Sequence, residues 1–511
     1  MRTKLALLFI LLISGSSVAQ HHEAGAAATK GPVDLGKIEF PTSGPVEAQK
    51  SFIEGVLLLH SFEYARARRA FQEASRIAPD FAMAYWGEAM THDHRIWGEQ
   101  DRSAALAALA RLAPTPAERR AKAPTEREKM YFDAVEKLLE DGDEKQIASS
   151  YSNAMAALTK RFPDDLEAQA FYSLSILGLT GTVRNTDNYL KAAAVAEAIY
   201  KKNPRHPGAL HYLIHAYDDP EHARLGLTAA RAYGTVARSA SHAQHMPSHI
   251  FFALGMWEES IAANTASMKT ARDEGAGGYH PLHWLVHAYL QLGRDDEAAK
   301  LIAIVEDDMT LKPSAYARTH LAMTRATYLV EARGVGPESL MQPVAYDEMV
   351  YSAAFANHDL AVALEHVRKK DLSAAGQTLD SVRARNAAMK AAVSSGISAE
   401  RYRSVSQGEV DTIAVIESML AAAIQFASGE KEKGLTAIIA AAKAEDGLVF
   451  EYGPPAIVKP AWEQAGEMFL AAGKKREAAD AFRRVLKRYP NRKLSNEGLK
   501  AATSAGNDRR S

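Results

Sequence analysis

Three stretches of this chain decide its fold: His211-Tyr-Leu-Ile-His215, His245-Met-Pro-Ser-His249 and His283-Trp-Leu-Val-His287. The second pair follows the first by 34 residues, and the third follows the second by 38. A spacing of four places both imidazoles of a pair on one helix face. A period near 34 is the length of a tetratricopeptide helix–turn–helix unit. The three pairs therefore predict a ladder of histidines along a helical repeat.

The same unit length is visible towards both ends of the chain. A tetratricopeptide unit combines large core residues, small residues where its helices cross and a proline at its end. This pattern is present near the N-terminus at Gly55, Ala67, Phe71, Ala74 and Pro79. It recurs near the C-terminus at Trp462, Gly466, Phe482 and Pro490. The intervening segments are alanine-rich and periodic, without convincing strand alternation. We predict an all-α, tetratricopeptide-type α-solenoid, a right-handed superhelix of helix–turn–helix repeats.

The N-terminus predicts export. Residues 1–19 combine a basic start, a short apolar run and a small-residue exit, which is typical of a cleaved signal peptide. The apolar run is too short for a membrane span, so we expect a periplasmic or secreted protein without one. Residues 20–45 are expected to form a disordered tail, 46–333 the N-terminal and central repeats with the histidine ladder, and 338–511 the C-terminal repeats.

Composition excludes several function classes. Lys+Arg 61 against Asp+Glu 62 gives a net charge of -1, so no basic field exists to attract nucleic acid. There is no cysteine, which removes disulfides, thiolate ligands and cysteine nucleophiles. The sequence also lacks the zinc-protease, nucleophile-elbow and phosphate-loop motifs. Whether the protein is an enzyme, and its oligomeric state, stay open.

Register predicts where the ladder points. The first helix of each unit lines the concave groove, and the paired histidines take groove-facing places on it. Imidazole is a common ligand of copper and zinc. We therefore predict a copper or zinc site whose ligands are His211, His215, His245, His249, His283 and His287. Nearby secondary candidates are His222, His242, His280 and Asp218. Met246 and the exported location favour copper over zinc.

Two features qualify this hypothesis. Pro247 cannot sit deep inside a helix, so we expect it in a first turn, with His245 displaced from ideal pairing with His249. His60, His92 and His94 lie in the N-terminal units and would approach the site only if the superhelix curls round.

The alternative is a periplasmic scaffold that binds a peptide or a partner protein in the concave groove without catalysis. Tetratricopeptide solenoids commonly have this role. A scaffold does not require chelating pairs in register, whereas Asn, Lys and Arg would be expected along its groove. The histidine ladder thus favours the metal hypothesis, and metal-dependent catalysis stays open.

Two segments also carry a family resemblance. Residues 206–222, which contain His-Tyr-Leu-Ile-His-Ala-Tyr-Asp-Asp-Pro-Glu-His, and residues 241–251, Ser-His-Ala-Gln-His-Met-Pro-Ser-His-Ile-Phe, resemble the hallmark of a bacterial group of exported tetratricopeptide proteins. Gly453-Pro-Pro, Lys459-Pro and Pro490-Asn-Arg492 are similar to that group as well. The resemblance implies the fold and export, and it brings no reaction with it.

Overall fold

The computed structural model describes residues 34–181, 184–333, 336–345, 352–395, 406–449 and 452–504. The predicted signal peptide and residues 20–33 of the predicted tail lie outside the described residues. Within the described part, nearly all regular structure is helical, which confirms the all-α solenoid.

The first twelve helices are α1 (Val46–His60), α2 (Tyr64–Ile77), α3 (Ala82–Met90), α4 (Arg102–Ala110), α5 (Pro116–Lys122), α6 (Glu126–Leu138), α7 (Glu144–Arg161), α8 (Leu166–Leu177), α9 (Thr186–Lys202), α10 (Pro207–Tyr217), α11 (Ala223–Val236) and α12 (Ser241–His245). The others are α13 (Pro247–Ala253), α14 (Trp257–Asp273), α15 (Tyr279–Gln291), α16 (Asp295–Leu311), α17 (Ala315–Glu331), α18 (Ser352–Arg368), α19 (Leu372–Ser394), α20 (Gln407–Ala427), α21 (Lys431–Glu445), α22 (Ala461–Ala471), α23 (Lys475–Arg488) and α24 (Lys493–Thr503). Single 3-10 turns are formed by Arg95–Trp97, Gly178–Thr180 and Glu338–Met341.

Successive helices pack against each other along most of the chain, as expected for stacked helix–turn–helix units. One departure is a small antiparallel hairpin of β1 (Asp93–His94) and β2 (Glu99–Gln100), which the sequence did not predict. Among the described helices, α20 alone has the length and composition of a membrane span. It packs against α18, α19 and α21.

Two phenylalanines show how small residues set the helix crossings. Phe71 is fully buried, and a Cβ on Gly55 or Gly87 would approach its ring to 2.7 Å or 2.3 Å. Phe482 lies in the same way between Gly466 and Gly498, at 2.7 Å and 2.3 Å. Each phenylalanine follows one glycine and precedes the other by 16 residues. Burial of such a ring stabilises its unit by roughly 1.5–3 kcal/mol, and only glycine leaves room for it.

Both ends of the solenoid fold back onto the central repeats. At the N-terminal end, Lys37 N donates to Arg205 O (2.9 Å) and Asp34 N to Ser239 Oγ (2.9 Å). At the C-terminal end, Trp257 Nε1 donates to Asn491 O at 3.3 Å and Lys493 N to Gln291 Oε1 at 2.8 Å. Segments at both ends of the described part of the chain therefore contact the central repeats.

The N-terminal return corrects the predicted tail boundary. Residues 34–45 belonged to the predicted disordered tail, yet Leu35 and Phe40 are each only 2% exposed. Phe40 makes ring contacts with Phe52 (5.3 Å) and Tyr131 (5.2 Å). The apolar residues of this segment thus belong to the core, although it contains no helix.

Candidate metal centre

The histidines that meet in the structure come from the first helices of three consecutive units. α10 supplies His211 and His215, α12 supplies His242 and His245, and α13 supplies His249. The N-terminal turn of α15 supplies His280. Pro207 and Pro247 stand at the first turns of α10 and α13, where a missing N–H costs no hydrogen bond. The predicted position of Pro247 is confirmed.

The first group of rings, cluster 1, consists of His211, His215 and His242. His211 Nε2 lies 3.1 Å from His215 Nε2 and 3.2 Å from His242 Nε2. One ring nitrogen from each of the three lies within 4.8 Å of the others. All three side chains are buried, with His211 fully so and the other two residues 8% exposed. Three imidazole nitrogens thus converge on one point inside the protein.

The second group, cluster 2, repeats this arrangement one unit further along the chain with His245, His249 and His280. His245 Nε2 lies 3.1 Å from His249 Nε2 and 3.0 Å from His280 Nε2. The kink at Pro247 therefore does not separate His245 from His249, although the sequence predicted a displacement. His245 ends α12 and His249 lies in the first turn of α13, and their rings turn towards the same point.

The outer nitrogens of three of these rings contact fixed oxygen acceptors. His211 Nδ1 lies 2.7 Å from the carbonyl oxygen of His60, and His245 Nδ1 lies 2.7 Å from Asn264 Oδ1. His249 Nδ1 lies 2.5 Å from Asp218 Oδ2. A carbonyl or carboxylate oxygen only accepts, so in the neutral imidazole each Nδ1 carries the proton. The Nε2 lone pair of each ring then points into its cluster.

The polar partners are themselves held in place. Asn264 Nδ2 donates to Ser260 O at 3.0 Å, which turns its Oδ1 towards His245. Asp218 is the residue that ends α10 and is 2% exposed. Arg184 donates to the carbonyl of Ala216 at 2.8 Å and pairs with Asp219, so the turn that carries Asp218 is fixed from the other side. We call these partners of the Nδ1 atoms the outer layer. Hydrogen bonds of this kind orient histidines that bind a metal ion.

The two clusters are neighbours. The rings of His215 and His249 are 6.3 Å apart, and so are those of His242 and His245. One aromatic side chain covers each cluster. Phe62 lies 4.3 Å from the ring of His211 and stacks on His242 at 5.6 Å. Trp284 lies 4.7 Å from His245 and 4.6 Å from His249.

Both aromatic covers depend on unusual backbone geometry. Phe62 itself adopts φ 56°, a left-handed conformation that is costly for a phenylalanine. Trp284 is contacted by the loop at Gly453, where φ is 83° and an added Cβ would lie 2.2 Å from the indole. The ring of Phe62 is thus placed over cluster 1 at some conformational cost, whereas glycine at position 453 leaves room for the indole of Trp284. Neither Phe62 nor Trp284 was among the residues that the sequence singled out.

Burial keeps the imidazole of His215 neutral. Desolvation, followed by the neighbouring His211 and His249, lowers the pKa of His215 well below the usual 6.5. A neutral ring can donate its nitrogen lone pair, whereas a protonated one cannot.

The third predicted pair lies outside both clusters. The ring of His283 lies 5.9 Å from that of His320, and His287 lies 5.5 Å from Phe252 and 5.8 Å from Trp257. The third pair follows the second by 38 residues rather than 34, which moves it one helical turn along its unit. His280, which was only a secondary candidate, takes the place nearer to the repeat spacing.

The secondary candidates divide between the two clusters and their surroundings. His242 and His280 are cluster members, and Asp218 orients His249. His222 instead contacts Asp219, with its Nδ1 2.9 Å from Oδ1. The structure therefore brings together four of the six main candidates and two of the secondary ones.

The N-terminal histidines approach the centre only indirectly. His60 contributes its carbonyl to His211. Its ring nitrogens lie 2.8 Å from Tyr212 OH and 2.7 Å from Glu167 Oε2. His94 contacts Glu99 (3.0 Å) and stacks on Tyr64. For His92, desolvation and then Arg68 lower the pKa to about 4.

A third titratable group lies behind cluster 1. Glu167 contacts His60 on one side and His206 on the other, the latter at 3.1 Å, and all three side chains are fully buried. Burial opposes ionisation of Glu167, but the charges and hydrogen bonds of His206 and His60 outweigh it and lower the pKa of Glu167 to about 2. His206 also caps α10 by accepting from Ala209 N at 3.2 Å. This network fixes the start of the helix that carries His211 and His215.

Comparisons with known proteins add little about function. No protein-family model matches the chain. No curated protein matches it either.

Among solved structures, the chain is similar to yeast Tom70, with 12% identity, coverage of 89% of this chain and 95% of that one, and a TM-score of 0.32. It is also similar to a human IFIT1 dimer with m7Gppp-AAAA (12% identity, 88% and 91% coverage, TM-score 0.31) and to the APC/C hetero-tetramer Cut9–Hcn1 (12% identity, 91% and 78% coverage, TM-score 0.31). These TM-scores carry no argument, so the fold class rests on the helix pairing of this chain.

Proposed function

We propose that this solenoid is an exported metal-binding protein that holds copper or zinc at clusters 1 and 2. Each ion is bound by three histidine Nε2 atoms, His211, His215 and His242 in one cluster and His245, His249 and His280 in the other. Export rests on the signal-peptide pattern of residues 1–19.

A single contact carries the proposal. His245 Nε2 and His249 Nε2 are 3.1 Å apart, while the Nδ1 atom of each ring faces an oxygen acceptor. In the neutral tautomers, both Nε2 atoms direct lone pairs at each other, and this is a repulsive arrangement. A cation between them converts the repulsion into two coordinate bonds.

The spacing also fits a metal ion. Bonds of about 2.0–2.1 Å from zinc to imidazole place the nitrogens of a tetrahedral site roughly 3.3 Å apart. The contacts of 3.0 to 3.2 Å within each cluster are close to this value. Three protein ligands leave one coordination position open, which is typical of sites that act on an exogenous ligand rather than of purely structural ones.

The ligand type narrows the choice of metal. Calcium and magnesium prefer oxygen ligands, and neither cluster offers a carboxylate to the point of convergence. Imidazole suits copper and zinc, and copper binds a given nitrogen site more tightly in the divalent series. Copper is the better candidate for an exported site of this kind.

The peptide scaffold receives less support from this geometry. A peptide in the predicted groove would have to touch the histidine ladder, yet His211 and His245 are 0% and 2% exposed. A partner protein would have to bind elsewhere on the solenoid.

Elemental analysis of protein purified without an affinity tag tests the proposal. We expect at least one equivalent of copper or zinc per chain, before or after incubation with the metal. A double variant, His245→Gln and His249→Gln, should lose the metal of cluster 2 and keep its helical circular dichroism. Metal well below one equivalent that does not rise on addition of copper or zinc would refute the function.

A further inference from the structure

The two clusters lie side by side and are alike in composition. Each presents three imidazole nitrogens, and rings of opposite clusters are 6.3 Å apart at two places, His215 to His249 and His242 to His245. The pairs of rings also come from successive repeats, so stacking of the units itself brings the two points of convergence together. Such proximity is not needed by a protein that only stores or carries metal ions.

The charge balance of the pair calls for an additional ligand. Imidazoles in the neutral form add no negative charge, and two carboxylates contact cluster members from outside, Asp218 at His249 Nδ1 and Glu63 at the backbone N of His242. Two divalent ions would therefore carry a large uncompensated positive charge in a buried site. Burial of uncompensated charge is costly, so a small anion held between the ions would be strongly stabilised.

We propose that clusters 1 and 2 form one dinuclear copper centre that binds dioxygen reversibly between its two ions. This inference rests on the proposed metal function. It adds that two copper ions are bound, that their spins are coupled and that dioxygen is the ligand between them. Each Cu(I) ion donates one electron to dioxygen, which becomes a bridging peroxide between two Cu(II) ions. The two electrons return when dioxygen leaves, so no other oxidant or reductant takes part.

The surroundings favour a ligand of this size. Phe62 covers cluster 1 and Trp284 covers cluster 2, and His215 and His242 are each only 8% exposed. The ring centroids of opposite clusters are 6.3 Å apart, which leaves room for a small bridging molecule rather than a large substrate. Imidazole ligands suit copper.

The test loads the full-length protein with two equivalents of Cu(I) without oxygen and then admits dioxygen. We expect two bound copper ions per chain, a new visible or near-ultraviolet absorption on oxygenation, and its loss on degassing. The oxygenated centre should give almost no electron paramagnetic resonance signal, because two Cu(II) ions joined by one bridge couple their spins.

Two variants separate the inference from folding effects. His280→Gln removes one ligand of cluster 2, so its copper becomes labile. When this variant is loaded with Cu(II), the one remaining ion should give a resonance signal of about one spin per chain. When it is loaded with Cu(I), the absorption should not develop on oxygenation. His283→Gln lies on the same helix outside both clusters and should behave as the unmodified protein does. Circular dichroism and gel filtration confirm that both variants are folded.

The outcomes distinguish this inference from the function on which it rests. Two copper ions with a signal of two full spins, or no absorption change with dioxygen, would overturn the dinuclear centre and leave metal binding intact. Copper below one equivalent would overturn both. Coupled copper in the unmodified protein and uncoupled copper in His280→Gln would support the dinuclear centre.

Discussion

Asp218 Oδ2 lies 2.5 Å from Nδ1 of His249, across the gap between the end of α10 and the start of α13. The carboxylate belongs to the unit that carries His211 and His215, whereas the imidazole belongs to cluster 2. One residue of the first histidine repeat therefore fixes the orientation of a ring in the second. The two clusters are linked through the outer layer as well as through ring contacts.

The first prediction concerns this contact. Asp218→Asn keeps the shape of the side chain but removes the charge, and its amide can donate to Nδ1, which would move the ring proton to Nε2. We expect the affinity of cluster 2 for copper or zinc to fall about 10- to 100-fold. Competition with a chelator of known affinity measures this change. Unchanged affinity would show that Asp218 has no role in orienting His249.

Asn264 allows a second, independent test of the outer layer. Asn264→Ala removes the acceptor at His245 Nδ1, so the tautomer of that ring is no longer fixed. A loss of affinity of about 10- to 100-fold is again expected, with helicity retained. The matched control is Asn386→Ala, since Asn386 is equally buried and bonds to Glu417 in the C-terminal half. Equal losses in both variants would indicate general destabilisation instead.

A third prediction separates the ladder expected from sequence from the clusters in the structure. The double variant His283→Gln and His287→Gln alters the third pair and should retain the full metal content. Its stability should fall by about 1–3 kcal/mol, because both rings are buried in apolar surroundings. Elemental analysis together with thermal unfolding measures both effects. Loss of metal with intact folding would restore the third pair as ligands.

The histidines of the ladder could be placed on one helix face from spacing alone, because i and i+4 positions adjoin in every α-helix. The repeat length then predicted that His211, His215, His245 and His249 belong together. The prediction was less accurate for α15, where the register of the third unit is shifted by one turn. Sequence spacing alone did not show that His280, at the start of α15, would replace His283 and His287.

Contacts between distant segments were beyond the reach of the sequence. Phe62, which contacts the ring of His211, precedes it by 149 residues, and Glu167, which supports the same helix, precedes it by 44. Asn264, which contacts the ring of His245, follows it by 19 residues. No periodicity relates such residues, since their proximity depends on how the superhelix curves. For the same reason, the sequence left open whether His60 approaches the histidine site. The curvature of the superhelix brings its carbonyl oxygen to His211.

The fourth prediction concerns pH and the metal-free protein. Burial lowers the pKa of His283 to about 4 and that of His287 well below 6.5. Below pH 6.5 the unfolded chain binds protons that the folded chain does not, so acidification favours unfolding. The free energy of unfolding should therefore fall between pH 7 and pH 5, by up to roughly 1.4 kcal/mol per pH unit for each such histidine.

Urea unfolding at pH 7, 6 and 5 measures this dependence. His283→Leu should reduce the slope, because leucine has no proton to bind and His283 Nε2 has no hydrogen-bond partner within the described structure. An identical slope in the variant would show that His283 does not contribute to it.

A fifth prediction tests the network behind cluster 1. Glu167→Gln removes the carboxylate that contacts His60 and His206, and we expect a loss of about 1–3 kcal/mol in the free energy of unfolding, because buried hydrogen-bonding groups lose a partner. Since the pKa of Glu167 is lowered to about 2, its contribution is complete above about pH 4.5 and lost as the pH falls towards 2. The control is the pair of Glu306 and Arg325, whose side chains are 35% and 11% exposed. Glu306→Gln should cost less than about 1 kcal/mol.

The contacts of both terminal segments of the described chain with the central repeats limit how the number of repeats can change in evolution. In an open repeat array each unit touches only its neighbours, so units can be gained or lost one at a time. Here Trp257 bonds to Asn491 and Asp34 to Ser239, across 234 and 205 residues of chain. Insertion of one more unit would move both ends of these contacts apart. The number of repeats is thus fixed by closure, and unfolding should occur as one cooperative event rather than unit by unit.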